Sequence, residues 1–192
     1  MEYKLYRIVR PIVRFLMKIF YRIEIINSEY IPDTGCILAG NHKSNLDCVL
    51  LMSSTKRTIR FLGKVELFKK HGWIFRNMGV IPVNRSIKNK KAVSDAIDVL
   101  KKDEIIGIFP EGTFNDTEYV TRPFKIGAVK FSYDAKKPIV PFAIINDYKL
   151  FRKSVKIIFG KPYVVKNSDL VYENNRLMNK VIKLMKEDYE KE

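Results

Sequence analysis

Three nearly unbroken apolar runs constrain this chain most: Cys36-Ile37-Leu38-Ala39-Gly40, residues 104–109 and residues 138–145. Runs of this length with no polar alternation suit strands buried on both faces, which form where helices cover both sides of a sheet. Between and around them lie stretches of helical character. Residues 66–76 carry Leu67, Phe68, Trp73, Ile74 and Phe75, and residues 90–102 place Val93, Ile97 and Leu100 on one face and lysines outside. Residues 124–135 read as a further helix. A last one spans 169–190, with Asp169 near its cap and Leu170, Leu177, Val181, Leu184 and Met185 facing inward. Shorter strands are expected at 58–63, 79–85, 155–159 and 163–165, the last two toward a sheet edge. Strand and helix alternate throughout. The expectation is an α/β fold: one layered domain over residues 27–192, with a largely parallel or mixed central sheet flanked by helices. A length of 192 residues suits one real core rather than two.

Residues 1–26 differ from this body. Leu5, Ile8, Val9, Ile12, Leu16, Ile19, Phe20 and Ile23 recur at helical spacing, while Lys4, Arg7, Arg14, Lys18 and Arg22 recur on another face. Arg10 lies between the faces, and Pro11 is expected to kink the helix or mark its true start. An apolar stripe beside an almost purely cationic one suits a helix lying in the headgroup plane of an anionic membrane. The plainer reading is an amphipathic helix docked on its own domain. The membrane-interface arm is the expectation carried forward.

The densest chemistry lies in Asn41-His42-Lys43-Ser44-Asn45-Leu46-Asp47, directly after the first apolar run. Ser44 reads as a helix N-cap with Asp47 three residues on, in the capping-box position. Such a cap folds the carboxylate back over the helix start, where the turn has left His42. A base and a group able to orient it then meet, five residues apart. His71, beside Gly72, reads instead as a surface or packing histidine.

Lys and Arg outnumber Asp and Glu by 36 to 21, a net charge of +15. That excess points to a polyanionic partner: nucleic acid, an anionic membrane or a phosphate-bearing substrate. The basic residues are scattered, and neither a helix-turn-helix nor an aromatic RNA-binding signature is present, so nucleic acid is not expected. The two cysteines, Cys36 and Cys48, have no metal-ligand spacing and suit a reducing compartment. No charge-free run exceeds nine residues, against the roughly twenty of a membrane-spanning helix. The expected location is therefore peripheral, on the cytoplasmic face of a membrane.

Four blocks stand in order: His42 with Asp47, then Gly79-Val80-Ile81-Pro82-Val83-Asn84-Arg85, Phe109-Pro110-Glu111-Gly112-Thr113, and Ile139-Val140-Pro141-Phe142-Ala143. Together they resemble the 1-acyl-sn-glycerol-3-phosphate acyltransferases of the glycerolipid acyltransferase superfamily. Lys64-Val65-Glu66-Leu67 and Phe124-Lys125-Ile126-Gly127-Ala128 add to the likeness, which runs from about residue 35 to 145. The second block departs from the family's usual pattern at Pro82-Val83-Asn84, which bears on acceptor identity. The resemblance implies acyl transfer from a thioester, acyl-CoA or acyl carrier protein, to lysophosphatidic acid, with no other cofactor and no metal. His42 would be the base and Asp47 its orienting carboxylate. Arg85 would hold the acceptor phosphate, and Glu111 would order the acceptor site, for instance by holding Arg85 or the glycerol hydroxyls. Gly112 would allow close backbone approach beside Thr113, and Lys125 is a second phosphate candidate. A different route would use Cys48 as nucleophile, since a helix N-terminus can lower a thiol pKa; the reading preferred is a structural cysteine packed in the core.

Overall fold

The computed structural model describes residues 3–84, 90–152 and 155–189. Among these, seven strands form one sheet: β1 (Glu24–Ile26), β2 (Cys36–Gly40), β3 (Ile59–Lys64), β4 (Ile81–Val83), β5 (Ile105–Ile108), β6 (Ile139–Ile145) and β7 (Lys156–Phe159). Six helices flank it: α1 (Lys4–Phe20), α2 (Leu46–Ser54), α3 (Val65–Asn77), α4 (Lys90–Lys101), α5 (Gly127–Ala135) and α6 (Leu170–Tyr189). The spatial order is β1-β7-β6-β2-β5-β3-β4. Neighbours are parallel except β6 and β7, so the sheet is mixed, with β1 and β7 running against the other five.

The apolar runs of the sequence become the centre of this sheet. Every residue of β2 and β6 is buried. Side chains alternate between two cores, as the pleat demands. Ile37, Ala39, Ile106, Ile139 and Ala143 point to the face covered by α4, α5 and α6. Cys36, Leu38, Ile105, Val140 and Phe142 point to the face that α1 and α2 cover. Each Ile or Leu so enclosed stabilises the fold by about 1.5–3 kcal/mol.

The connections create the place where chemistry can sit. From β2 the chain passes through α2, on one face, to β3. From β5 it passes through α5, on the other face, to β6. The loops after the adjacent strands β2 and β5 therefore part, opening a crevice at the carboxyl edge of the sheet. Gly40 ends β2 against β6 so closely that a Cβ there would lie 2.3 Å from the Phe142 carbonyl oxygen.

Several boundaries differ from expectation. The helix expected from residue 124 begins at Gly127, because Phe124 is buried ahead of the helix and its carbonyl accepts the Asn174 side-chain amide at 2.6 Å. On α4 the face most deeply packed is Ala92, Ala96, Val99 and Leu100, with Val93 at its margin. Strand β7 lies inside the sheet rather than at an edge, and residues 163–165 contribute a single bridge, Tyr163 to Ile139. The helical pattern of residues 1–26 overruns the helix: α1 ends at Phe20, and Glu24–Ile26 forms the edge strand β1 beside β7.

Helix α1 is continuous through Pro11 and has three faces rather than two. Its docking face is Tyr6, Val13 and Met17, with Tyr3 just before the helix, packed into the core with α2. The buried Tyr6 hydroxyl accepts the Ile59 N–H at 3.1 Å, and burial pushes that phenol up to about 12. Arg10 donates through Nε to the Thr55 carbonyl, which caps α2. Most of the apolar stripe read from the sequence is not used for docking, although Ile23 packs against the core. Ile8 and Phe15 are each 63% exposed, and Ile12, Leu16, Ile19 and Phe20 are exposed with them. Among the described residues no helix is long and apolar enough to cross a membrane.

Candidate active site

The site is built outward from the end of β2. Asn41 is buried and makes two bonds to one residue of β6: Nδ2 donates to the Ile144 carbonyl at 2.9 Å, and Oδ1 accepts the Ile144 N–H at 2.7 Å. The chain is thus clamped where it leaves the sheet, and the next residue, His42, emerges at a fixed point.

His42 Nδ1 lies 2.8 Å from Asp47 Oδ2. The same oxygen accepts the backbone N–H groups of Lys43 at 2.6 Å and Ser44 at 2.8 Å. Half of the expected capping box forms: Asp47 reaches back to the Ser44 N–H. Helix α2, however, starts at Leu46 with Asn45 rather than Ser44 as its cap residue, and Ser44 Oγ accepts the Leu46 N–H at 3.2 Å instead of the Asp47 N–H. Asp47 is fully buried in the first turn, where the helix dipole favours negative charge. An ionised carboxylate only accepts, so Nδ1 carries the proton and Nε2 presents its lone pair. The ring is stacked on Phe109 at 4.0 Å, and Phe114 meets it edge-on at 4.5 Å. Two aromatic rings and one hydrogen bond fix the imidazole plane.

Glu111, in the turn after β5, is buried and faces the main chain. Oε1 accepts the His42 N–H and Oε2 accepts the Arg122 N–H, both at 2.8 Å. Burial pushes its carboxyl above the usual range, and these two bonds oppose the rise. Asn115 N–H donates to the His42 carbonyl at 2.8 Å, so the loop after β5 is stitched to His42 from both sides. Glu111 thus holds the backbone of the histidine; the grip on Arg85 that the resemblance implied as one possibility involves a residue outside the described ones.

Gly112 adopts φ +75, a left-handed conformation that favours glycine. The Lys125 chain passes over it, its Nζ 2.7 Å from where a Gly112 Cβ would stand, and Lys125 N–H donates to the Pro110 carbonyl at 2.9 Å. Thr113 is exposed in the same loop. Arg85 lies outside the described residues; β4, which precedes it, ends at Val83 beside Lys64 on the same sheet edge.

Two neighbours were not foreseen from the sequence. Tyr148, three residues beyond β6, donates its hydroxyl to Asp47 Oδ1 at 2.7 Å. Arg122 pairs through its guanidinium with Asp116 while its backbone serves Glu111. Position after a buried strand was the one signal available for Tyr148. Cys48 is poorly suited to attack: burial, reinforced by the Asp47 charge, pushes its thiol up to about 12. His71 is exposed on α3, away from the core. Among the described residues no group of three or more His, Cys, Asp or Glu side chains converges to hold a metal.

Comparison with known proteins agrees with this architecture. The family model named Acyltransferase matches residues 22–145. The 1-acyl-sn-glycerol-3-phosphate acyltransferase of Bacillus subtilis is 28% identical over 166 residues, 82% of this chain and 82% of that protein. The one from Borreliella burgdorferi is 34% identical over 177 residues, 89% of this chain and 66% of its own length. The crystal structure of the 1-acyl-sn-glycerophosphate (LPA) acyltransferase PlsC from Thermotoga maritima superposes with a TM-score of 0.72 at 22% identity, covering 92% of this chain and 78% of that one, and so shares the fold. With the family model spanning well over half its length, this chain belongs to the acyltransferase family.

Proposed function

We propose that this protein transfers a fatty acyl group from an acyl thioester directly to the free hydroxyl of lysophosphatidic acid, giving phosphatidic acid. The observation that carries the reading is the His42–Asp47 pair, held at 2.8 Å at the carboxyl edge of an acyltransferase-family sheet. Relatives that carry the 1-acyl-sn-glycerol-3-phosphate acyltransferase name supply the acceptor.

Nε2 of His42 takes the proton of the acceptor hydroxyl as its oxygen attacks the thioester carbonyl. The imidazolium that forms is stabilised by Asp47 through Nδ1–H, as in the His-Asp half of a serine triad, with the substrate hydroxyl in place of serine. The tetrahedral intermediate collapses, the C–S bond breaks, and the leaving thiolate takes the proton from Nε2. No enzyme nucleophile is needed, and the elevated Cys48 thiol supports a route without one. Arg85, as a planar bidentate donor, and Lys125, lying over Gly112, are assigned to the acceptor phosphate. Glu111 acts by fixing the histidine main chain.

The lipid substrate is met at a membrane surface. The exposed Ile8, Ile12, Phe15, Leu16 and Ile19 of α1, flanked by Arg7 and Lys18, support an interfacial helix on anionic lipid, at the cytoplasmic face. The net charge of +15 suits such a surface and the acidic donors, acyl-CoA and acyl carrier protein, equally well. The test is an acceptor-by-donor panel on purified protein with detergent-dispersed lipid. It sets lysophosphatidic acid against other lysophospholipids, monoacylglycerol and glycerol 3-phosphate. Preference for lysophosphatidic acid over monoacylglycerol should shrink in Arg85→Ala. Turnover confined to another acceptor would reassign the substrate, and an unchanged preference would remove Arg85 from the phosphate site and leave that contact to Lys125.

A further inference from the structure

We propose that Tyr148 is a positioning residue of the dyad, holding the Asp47 carboxylate through the oxygen that His42 does not use. The proposal rests on the acyl-transfer reading above. Oδ2 of Asp47 is saturated by His42, Lys43 N–H and Ser44 N–H, whereas Oδ1 receives the Tyr148 hydroxyl at 2.7 Å. Asp47 is fully buried, so this oxygen depends on a protein donor rather than on bulk water. Burial, with the Asp47 charge added, pushes the Tyr148 phenol well above its ordinary range and keeps it protonated as a donor.

The loop that carries Tyr148 is itself secured at three points. Lys43 Nζ donates to the Asn146 carbonyl at 3.2 Å and pairs with Asp147 Oδ1 at 3.3 Å. The Tyr148 ring meets Tyr21 edge-on at 5.7 Å, directly after α1. Phe151 N–H donates to the Phe20 carbonyl, and their rings lie 5.5 Å apart. Tyr148 is thereby wedged between the end of α1 and the start of α2, aimed at the dyad. A tyrosine that served packing alone would not need its hydroxyl on the one carboxylate that orients the base.

The groups facing the pair set the sign of the effect. Asp47 faces His42 and Tyr148, with Cys48 beside it on α2; Tyr148 also faces Tyr21; Glu111 meets His42 at its backbone; the Lys43 ammonium is turned to Asp147. With the hydroxyl gone, Oδ1 is left dry. A dry carboxylate takes up a proton more readily and, while ionised, holds the imidazolium more tightly. Both changes move the acid limb of the kcat/KM profile to higher pH.

The experiment compares the parent, Tyr148→Phe and His42→Ala for kcat, both KM values, thermal stability and the pH profile. Tyr148→Phe should lose kcat by on the order of tenfold, leave both KM values within about twofold, and shift the acid limb upward. Site-specific fluorotyrosine at position 148, nearly the same size and a stronger donor, should shift that limb downward; this arm holds even if Tyr148→Phe folds poorly. An acid limb unmoved in either variant, with or without a loss of kcat, overturns the proposal and leaves Tyr148 a packing residue. The control separates the two claims. Undiminished activity in His42→Ala refutes the dyad, whereas an inactive His42→Ala beside a parent-like Tyr148→Phe refutes the role of Tyr148 alone.

Discussion

Replacing Asp47 by Asn removes one charge and almost no volume, and the geometry says which way the amide must turn. The Oδ2 position is surrounded by three N–H donors, from Lys43, Ser44 and the His42 ring. An amide NH2 placed there would face donors only. The amide oxygen therefore takes that position, and the NH2 group faces the Tyr148 hydroxyl, which can accept a hydrogen bond. The helix cap and the histidine tautomer both survive, so the fold should hold. What is lost is the negative charge opposite the developing imidazolium. Two unit charges about 4 Å apart attract by about 4 kcal/mol at an effective dielectric near 20. Each ~1.4 kcal/mol is tenfold in rate, so kcat should fall by about a thousandfold. Had the tautomer flipped instead, the loss would approach about ten-thousandfold. The assay is initial-rate kinetics with lysophosphatidic acid and acyl-CoA, with a thermal melt alongside. A folded Asp47→Asn protein that keeps kcat within about threefold of the parent would refute the electrostatic argument.

Cys48→Ala should retain most activity, and initial-rate patterns should be sequential rather than ping-pong; an acyl group trapped on Cys48 and seen by mass spectrometry would contradict direct transfer. For α1, truncation is a poor probe because it removes the buried Tyr6 and Met17. Surface changes are cleaner: Ile12→Ser with Phe15→Ser, both exposed, should weaken vesicle co-sedimentation while leaving the melting temperature close to that of the parent. Arg7→Glu with Lys18→Glu should weaken binding to anionic vesicles by roughly 1 kcal/mol per basic residue removed and leave binding to neutral ones little changed. Vesicle binding indifferent to both pairs would end the membrane-arm reading.

The parts of this molecule legible in its sequence are those governed by local rules. Strands β2, β5 and β6 show as apolar runs because both of their faces are covered, and no polar residue is tolerated in them. The His42–Asp47 approach is legible because a carboxylate turned back to the N–H groups just before a helix is a short-range device. Strand β1 was not, since three residues become a strand only by pairing with β7, about 130 positions away. The docking face of α1 was hidden for another reason. It is made of Tyr6, Val13 and Met17, with Arg10 among them and Tyr3 just before the helix, a face that reads as less apolar than the stripe left exposed. The roles of Asn41 and Glu111, and Tyr148 as a whole, were hidden by a third cause. Each satisfies a group distant in sequence, such as the Ile144 backbone, the His42 N–H or the Asp47 carboxylate, and polar pairs of that kind leave no periodic trace.

The central claim is that His42 is the base that activates the lipid hydroxyl. Its most direct test is the rate of phosphatidic acid formation by His42→Ala, measured by mass spectrometry with lysophosphatidic acid and acyl-CoA saturating. The claim predicts a folded protein whose kcat is lower than the parent's by on the order of a thousandfold. A His42→Ala protein that makes phosphatidic acid within about tenfold of the parent rate would contradict it.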